Sequence, residues 1–107
     1  MDLSQSKCKP CEGGVAPLQK QQISSFMNHI HGDWRLVDDK KISREFSFVN
    51  YRHAIDFVNR VAEVAEEEDH HPVLHIYYAR VAVELWTHAI NGLSENDLIL
   101  AAKIDKV

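Results

Sequence analysis

The sequence has few cysteines, and this scarcity limits the metal and redox chemistry open to it. Its 107 residues contain only Cys8 and Cys11, both in the stretch "CKPC". No second CxxC follows that could complete the four ligands of a structural zinc site, so no metal is expected. A redox CxxC usually follows a strand and opens a helix, whereas this one precedes the turn-rich stretch "EGGVAP". We therefore interpret the pair as two reduced thiols on an N-terminal arm.

Long apolar runs and a basic surface are also missing. No apolar run approaches the ~20 residues that a membrane-spanning helix needs, and the N-terminal stretch has no apolar core of the secretory type. The net charge of −4 argues against a general nucleic-acid binder, because such a protein needs a basic face. The sequence therefore predicts a cytoplasmic protein that binds neither membranes nor nucleic acid, and it leaves a protein partner open.

The motifs of several large enzyme classes are absent. The chain has no nucleophile elbow, no P-loop, no GxGxxG and no HExxH, so acyl, phosphoryl and hydride transfer lack their usual residues. Proton transfer remains, as in isomerisation, hydration or dehydration. The chain has an ample supply of side chains for such chemistry, since seven of its residues are histidines.

The periodicity of apolar residues predicts a single domain behind an arm. Residues 1–17 are polar and interrupted by proline and glycine, which predicts a flexible arm. Residues 18–107 alternate between helical and strand periodicity and form the predicted domain. Helices are predicted over 18–30, 51–68 and from the stretch "SENDL" onward, and strands over 33–38, 41–49, 74–79 and 80–88. This order predicts an α+β fold, α-β-β-α-β-β-α, in which three helices pack on one face of a four-stranded antiparallel sheet.

Two adjacent histidines mark the end of the long predicted helix, in the stretch "EEDHHPVLHI". Pro72 disfavours helical geometry at His71, so this helix should end there or just before. On residue type alone, the favoured interpretation is that His70 and His71 satisfy the last helical carbonyls. A shared metal ion is the weaker functional interpretation, because adjacent helical side chains diverge by ~100°. General acid/base catalysis is the stronger one, since imidazole titrates near neutrality.

Two further residues are candidates for the same kind of site. His88 is predicted as the last residue of a strand, with Trp86 on the same face, and the ends of strands commonly carry functional side chains. Asp97 stands three residues after Ser94, the spacing of a helix capping box. Its carboxylate is interpreted either as that cap or as a group that contacts a ligand or orients His88, and the two roles are compatible.

The stretches "EEEDHHP" and "LWTHAINGLSENDLILAAKID", with "DW" and "REFSF" upstream, resemble the pterin-4a-carbinolamine dehydratases over roughly residues 25–107. The resemblance implies dehydration of 4a-hydroxytetrahydropterin to quinonoid dihydropterin, which recycles the pterin cofactor of aromatic amino acid hydroxylases. It implies no metal, no bound cofactor, and assembly into homodimers or homotetramers. The catalytic residues that it implies are His70, His71 and His88, and the substrate-binding residues are Glu66, Pro72 and Asp97.

The resemblance also leaves choices open. We expect His70 and His88 to form the acid/base pair and His71 mainly to hold the substrate. Val73 and Leu74 depart from the acidic and aromatic residues that many members carry there, which puts any substrate contact from these positions in doubt. The alternative function is a non-catalytic pterin-binding or protein-binding module of the same fold.

Overall fold

The order of secondary structure follows the predicted pattern. The computed structural model describes residues 2–9 and 16–107. Three α-helices and four strands follow one another as α1 (Lys20–Met27), β1 (Arg35–Val37), β2 (Lys41–Ser47), α2 (Tyr51–Glu68), β3 (Val73–Ile76), β4 (Arg80–Leu85) and α3 (Glu95–Ile104). Short 3-10 turns lie at Leu3–Gln5 and His88–Ile90. The α-β-β-α-β-β-α arrangement is thus confirmed.

The four strands form one antiparallel sheet in the order β1-β2-β4-β3. The central pair is β2 and β4, whose register places Ile42 opposite Leu85 and Ser47 opposite Arg80. Because side chains alternate between the faces of a strand, one face of β4 is fully buried and meets the helices, and its residues are Val81, Val83 and Leu85. The opposite face carries polar side chains of β2, β3 and β4.

The helices cover the apolar face of this sheet. The buried stripe of α2 consists of Ala54, Phe57, Val61 and Ala65, at the three- and four-residue spacing of an amphipathic helix. Most of α3 is buried, including Leu98 and Leu100. Among the described residues, no helix combines the length and apolar character that crossing a membrane would require.

Local signals set both ends of α2 as predicted. The Asn50 side chain accepts a hydrogen bond from the His53 N–H at 2.9 Å, which caps the first turn. At the other end Asp69 adopts the left-handed conformation, with φ of 53°, and the His70 N–H donates to the Ala65 carbonyl at 3.2 Å. The helix therefore stops just before Pro72, and the chain turns so that His70 leaves the helix axis.

The strand predicted over 80–88 is shorter than expected, and this part of the prediction is wrong. Strand β4 ends at Leu85, and His88 lies in a 3-10 turn. The reason is a tight loop: the Thr87 N–H donates to the Gly92 carbonyl at 2.8 Å, and Asn91 takes a left-handed φ of 50°. In this loop His88 lies outside the sheet and is exposed, whereas Thr87 is buried.

Residues 2–9 lie against the helices. Leu3 is 1% exposed and belongs to the main core, and the Lys103 ammonium donates to the Ser4 carbonyl at 2.9 Å. The Lys9 N–H donates to the Asn96 side-chain oxygen at 2.9 Å, while the Asn96 amide donates back to the Lys9 carbonyl at 2.6 Å. The division into a flexible arm and a domain stays a prediction, but residues 2–9 are packed on α3.

The thiol of Cys8 is enclosed in this contact. It donates to the Asn96 carbonyl at 3.6 Å, and burial, reinforced by the neighbouring Glu68 carboxylate, raises the pKa of the Cys8 thiol to about 12. A thiol held in this state is a poor nucleophile at neutral pH. Cys11, the other thiol of the predicted pair, lies outside the described residues.

Replacing Leu3 by Ala is expected to lower the free energy of unfolding by about 2–5 kcal/mol, because it leaves a cavity in the core. Gln5 is exposed in the same short turn, so Gln5→Ala is the matched control and should change stability by less than about 0.5 kcal/mol. Urea denaturation of the two variants measures the difference. Equal midpoints for both variants would show that the N-terminal segment does not contribute to the core.

Candidate functional site

The three predicted histidines lie around one cavity. Its volume is about 360 Å³, and it opens where the end of α2 faces the loop after β4. The chain after α2 contributes one wall, and the 3-10 turn with the end of β4 contributes the other. The lining includes His70, His71, Pro72, Trp86, Thr87 and His88. The structure therefore brings together residues that are up to 18 positions apart in the sequence.

His70 is held by a buried carboxylate. Its ring is only 8% exposed, and its Nε2 lies 2.6 Å from Oδ1 of Asp97. An ionised carboxylate only accepts hydrogen bonds, so Nε2 must carry the proton of this contact. The contact thereby fixes the orientation of the ring, with Nε2 directed at Asp97.

Asp97 connects three elements of the fold. Its Oδ2 accepts hydrogen bonds from the Thr87 hydroxyl at 2.8 Å and from the Ser94 N–H at 2.9 Å. The second of these completes the predicted capping box at the start of α3. Asp97 is fully buried, and its other oxygen binds His70. Among the described residues the hydrogen bonds of Asp97 go to His70, Thr87 and Ser94 rather than to His88, so an orienting effect of Asp97 on His88 stays a prediction.

His71 occupies the exposed rim of the cavity. Its Nε2 lies 2.6 Å from Oε2 of Glu66, one turn earlier on α2. The two side chains are 54% and 78% exposed, and such exposed pairs contribute little to stability because water screens them. Glu66 is thus placed beside His71 rather than in the cavity wall, while Pro72 is part of the wall.

His88 stacks on Trp86. The centroids of the two rings are 4.2 Å apart and the ring planes differ by 13°. Trp86 lies on the polar face of the sheet, with the Lys41 ammonium 5.6 Å from its ring centroid. Trp86 was not predicted as part of the site, although the two-residue alternation that placed it on the face of His88 was the available signal.

The residues that lie behind the cavity wall were also not predicted to contact the site. Glu68 is buried next to Asp69 and His70, and the Cys8 N–H that donates to its carboxylate at 2.9 Å is the main cause that lowers the pKa of Glu68. Asn96 precedes Asp97 and binds the main chain of Lys9. Residues 2–9 therefore contact Asn96, directly before Asp97, and Glu68, two residues before His70.

The described residues around the cavity do not form a metal site. Within residues 2–9 and 16–107, no cluster of three or more histidine, cysteine, aspartate or glutamate side chains has a geometry that could hold a metal ion. Three imidazoles line the cavity, and the buried one, His70, is bound to Asp97. This arrangement suits proton transfer to and from a bound molecule.

Comparison with known proteins connects this site to a family. The family model for pterin 4 alpha carbinolamine dehydratase matches residues 16–107. The chain belongs to this family of dehydratases. The matched range includes both walls of the cavity and the buried Asp97 that contacts His70.

Similar dehydratase-family proteins cover nearly the whole chain. A Nitrosomonas eutropha protein is 52% identical over 97% of this chain and 91% of its own length. A Rickettsia canadensis protein is 47% identical over 96% of this chain and 94% of its own. Both bear the name "Putative pterin-4-alpha-carbinolamine dehydratase". The crystal structure of a transcriptional coactivator/pterin dehydratase from Brucella melitensis superposes with a TM-score of 0.78 at 33% identity, covering 84% of this chain and 96% of that one.

Proposed function

We propose that this chain dehydrates 4a-hydroxytetrahydropterin to quinonoid dihydropterin by histidine acid/base catalysis. The observation that carries the proposal is the buried His70–Asp97 pair at 2.6 Å in the wall of a cavity that His71 and His88 also line. Membership of the dehydratase family supports the same substrate. Asp97 also caps α3, but its contact with a cavity histidine is the feature that favours proton transfer over binding alone.

The reaction needs two proton transfers. The bond between C4a and the hydroxyl oxygen breaks as a proton reaches that oxygen, and water leaves. A second proton leaves a ring nitrogen, so that the pterin gains a double bond without a net change of charge. One group must therefore give a proton and another must take one, which two imidazoles on different walls of a cavity can do.

We assign the transfers to His70 and His88. Asp97 would stabilise the imidazolium that forms when His70 takes a proton at Nδ1, the role that a buried carboxylate has beside a catalytic histidine in other enzymes. His88, on the facing wall, would deliver the proton to the leaving hydroxyl. His71, exposed at the rim beside Glu66, would hold the substrate, with Pro72 shaping the cavity and Asp97 supporting it.

The wider role follows from the product. Quinonoid dihydropterin is the form that a reductase returns to the tetrahydropterin used by aromatic amino acid hydroxylases, and we propose that this chain serves such a cycle in the cytoplasm. No bound cofactor is required by the chemistry above. Association into a homodimer or homotetramer stays a prediction.

A stopped-flow assay with freshly generated 4a-carbinolamine tests the proposal. Because the substrate also dehydrates in buffer, both rates are measured in parallel, and the protein is expected to accelerate the reaction. His71→Gln should mainly raise KM, whereas His88→Gln should mainly lower kcat, by about 10²–10⁴-fold. A rate equal to that in buffer, combined with tight binding of an oxidised pterin, would replace the enzyme by the non-catalytic binding module.

A further inference from the structure

Trp86 is the one large aromatic side chain among the described residues of the cavity wall, and charged side chains lie beside it. The Lys41 ammonium near its ring also pairs with Glu84 at 2.8 Å, and Glu84 binds His75 at 2.9 Å. These contacts join β2, β3 and β4 on the polar face of the sheet. Hydrogen bonding to Lys41 is the main cause that lowers the pKa of the Glu84 carboxyl, so this carboxylate is ionised at neutral pH.

The two histidines assigned to proton transfer are anchored in different ways. His70 is buried and bonded to Asp97. His88 is exposed in a 3-10 turn, and within the described residues no side-chain hydrogen bond holds its ring. An exposed side chain samples several rotamers, and fixing it in one costs free energy. The parallel stack on Trp86, at 4.2 Å between centroids, is the contact that can select one rotamer.

We propose that Trp86 is a positioning residue for the dehydration, which acts by holding the His88 imidazole against the cavity. This inference rests on the proposed function. The indole face gives His88 a flat surface that fixes the plane of its ring, and it attracts the ring most strongly when the imidazole carries a proton. The stack therefore fixes the orientation of the His88 ring, without touching the reacting atoms.

A double-mutant cycle separates this role from direct contact with the substrate. Trp86→Leu keeps much of the volume but removes the aromatic face, and it is expected to lower kcat by about 10–100-fold through misplacement of His88. Trp86→Phe keeps a flat face and should retain most of the wild-type kcat. If Trp86 acts through His88, adding Trp86→Leu to His88→Gln will lower kcat no further. Additive losses would overturn the inference.

A readout that does not depend on catalysis completes the test. The ring protons of His88, assigned by their loss in His88→Gln, should resonate upfield in the wild-type protein because they lie over an indole, and Trp86→Leu should remove this shift. Tyr78→Leu, at an exposed aromatic residue outside the cavity, is the control and should leave it unchanged. Unshifted His88 protons in the wild type would overturn the stack. Shifted protons without any dehydration would overturn only the proposed function.

Discussion

Replacing His70 by Gln is expected to lower kcat by about 10²–10⁴-fold while the protein stays folded. The glutamine amide can still donate to Oδ1 of Asp97, which now accepts from His70 Nε2 at 2.6 Å, so the buried carboxylate keeps a partner. The amide cannot take up a proton near neutral pH, so the acid/base role is lost. Stopped-flow measurement of carbinolamine dehydration gives kcat and KM, and thermal unfolding verifies the fold.

His53→Gln is the matched control for this experiment. His53 is an exposed histidine in the first turn of α2, at the end of that helix that lies away from the cavity. The same change of side chain there should leave kcat within about twofold of wild type, since exposed substitutions remote from special features have small effects. If His70→Gln and His53→Gln turned over equally fast, His70 could not be one of the two proton-transfer groups.

Replacing Asp97 by Asn should lower both activity and stability. Oδ2 of Asp97 accepts two hydrogen bonds, from Thr87 and from the Ser94 N–H, so the single oxygen of an asparagine amide will take that side. The NH₂ group then faces His70 and can only donate. His70 must accept at Nε2, which moves its proton to Nδ1, the nitrogen assigned as the base. We expect kcat to fall by about 10²–10⁴-fold. The free energy of unfolding should fall by about 1–3 kcal/mol.

Asp105→Asn, at the C-terminal end of α3, is the control for Asp97→Asn. Asp105 follows the C-terminus of α3, and its carboxylate accepts hydrogen bonds from Arg44 at 2.6 Å, from the Trp34 indole at 2.8 Å and from the His31 N–H at 2.9 Å. Asp105→Asn should therefore reduce stability by a similar amount and leave kcat unchanged. A loss of kcat in both variants would attribute the effect of Asp97 to general loosening of α3 rather than to the tautomer of His70.

The elements of the fold could be predicted because their signals are local. The apolar stripe of α2, the cap at Asn50 and the stop at Pro72 each act within a few residues. Strand alternation likewise predicted a strand that begins at residue 80, where β4 begins. The end of β4 was predicted too late, because the loop depends on a hydrogen bond from Thr87 to Gly92 that alternation cannot register.

The three cavity histidines could be grouped from the sequence, but their contacts could not. The family resemblance grouped His70, His71 and His88 before any geometry was known, and they do line one cavity. The contact between Asp97 and His70 joins residues 27 positions apart. It depends on how α2 and α3 pack, which the sequence pattern does not show. The packing of residues 2–9 was missed for the same reason, since Leu3 is a single apolar residue in a polar stretch and its partners lie near the other end of the chain.

The pair of hydrogen bonds between Asn96 and Lys9 has a consequence for how the N-terminal segment can vary. Asn96 recognises only the peptide groups of residue 9, its N–H and its carbonyl, and never the lysine side chain in these two bonds. Nineteen of the twenty amino acids offer the same two groups, and proline alone lacks the N–H. These two bonds therefore accept any residue except proline at position 9, while they support the residue next to Asp97.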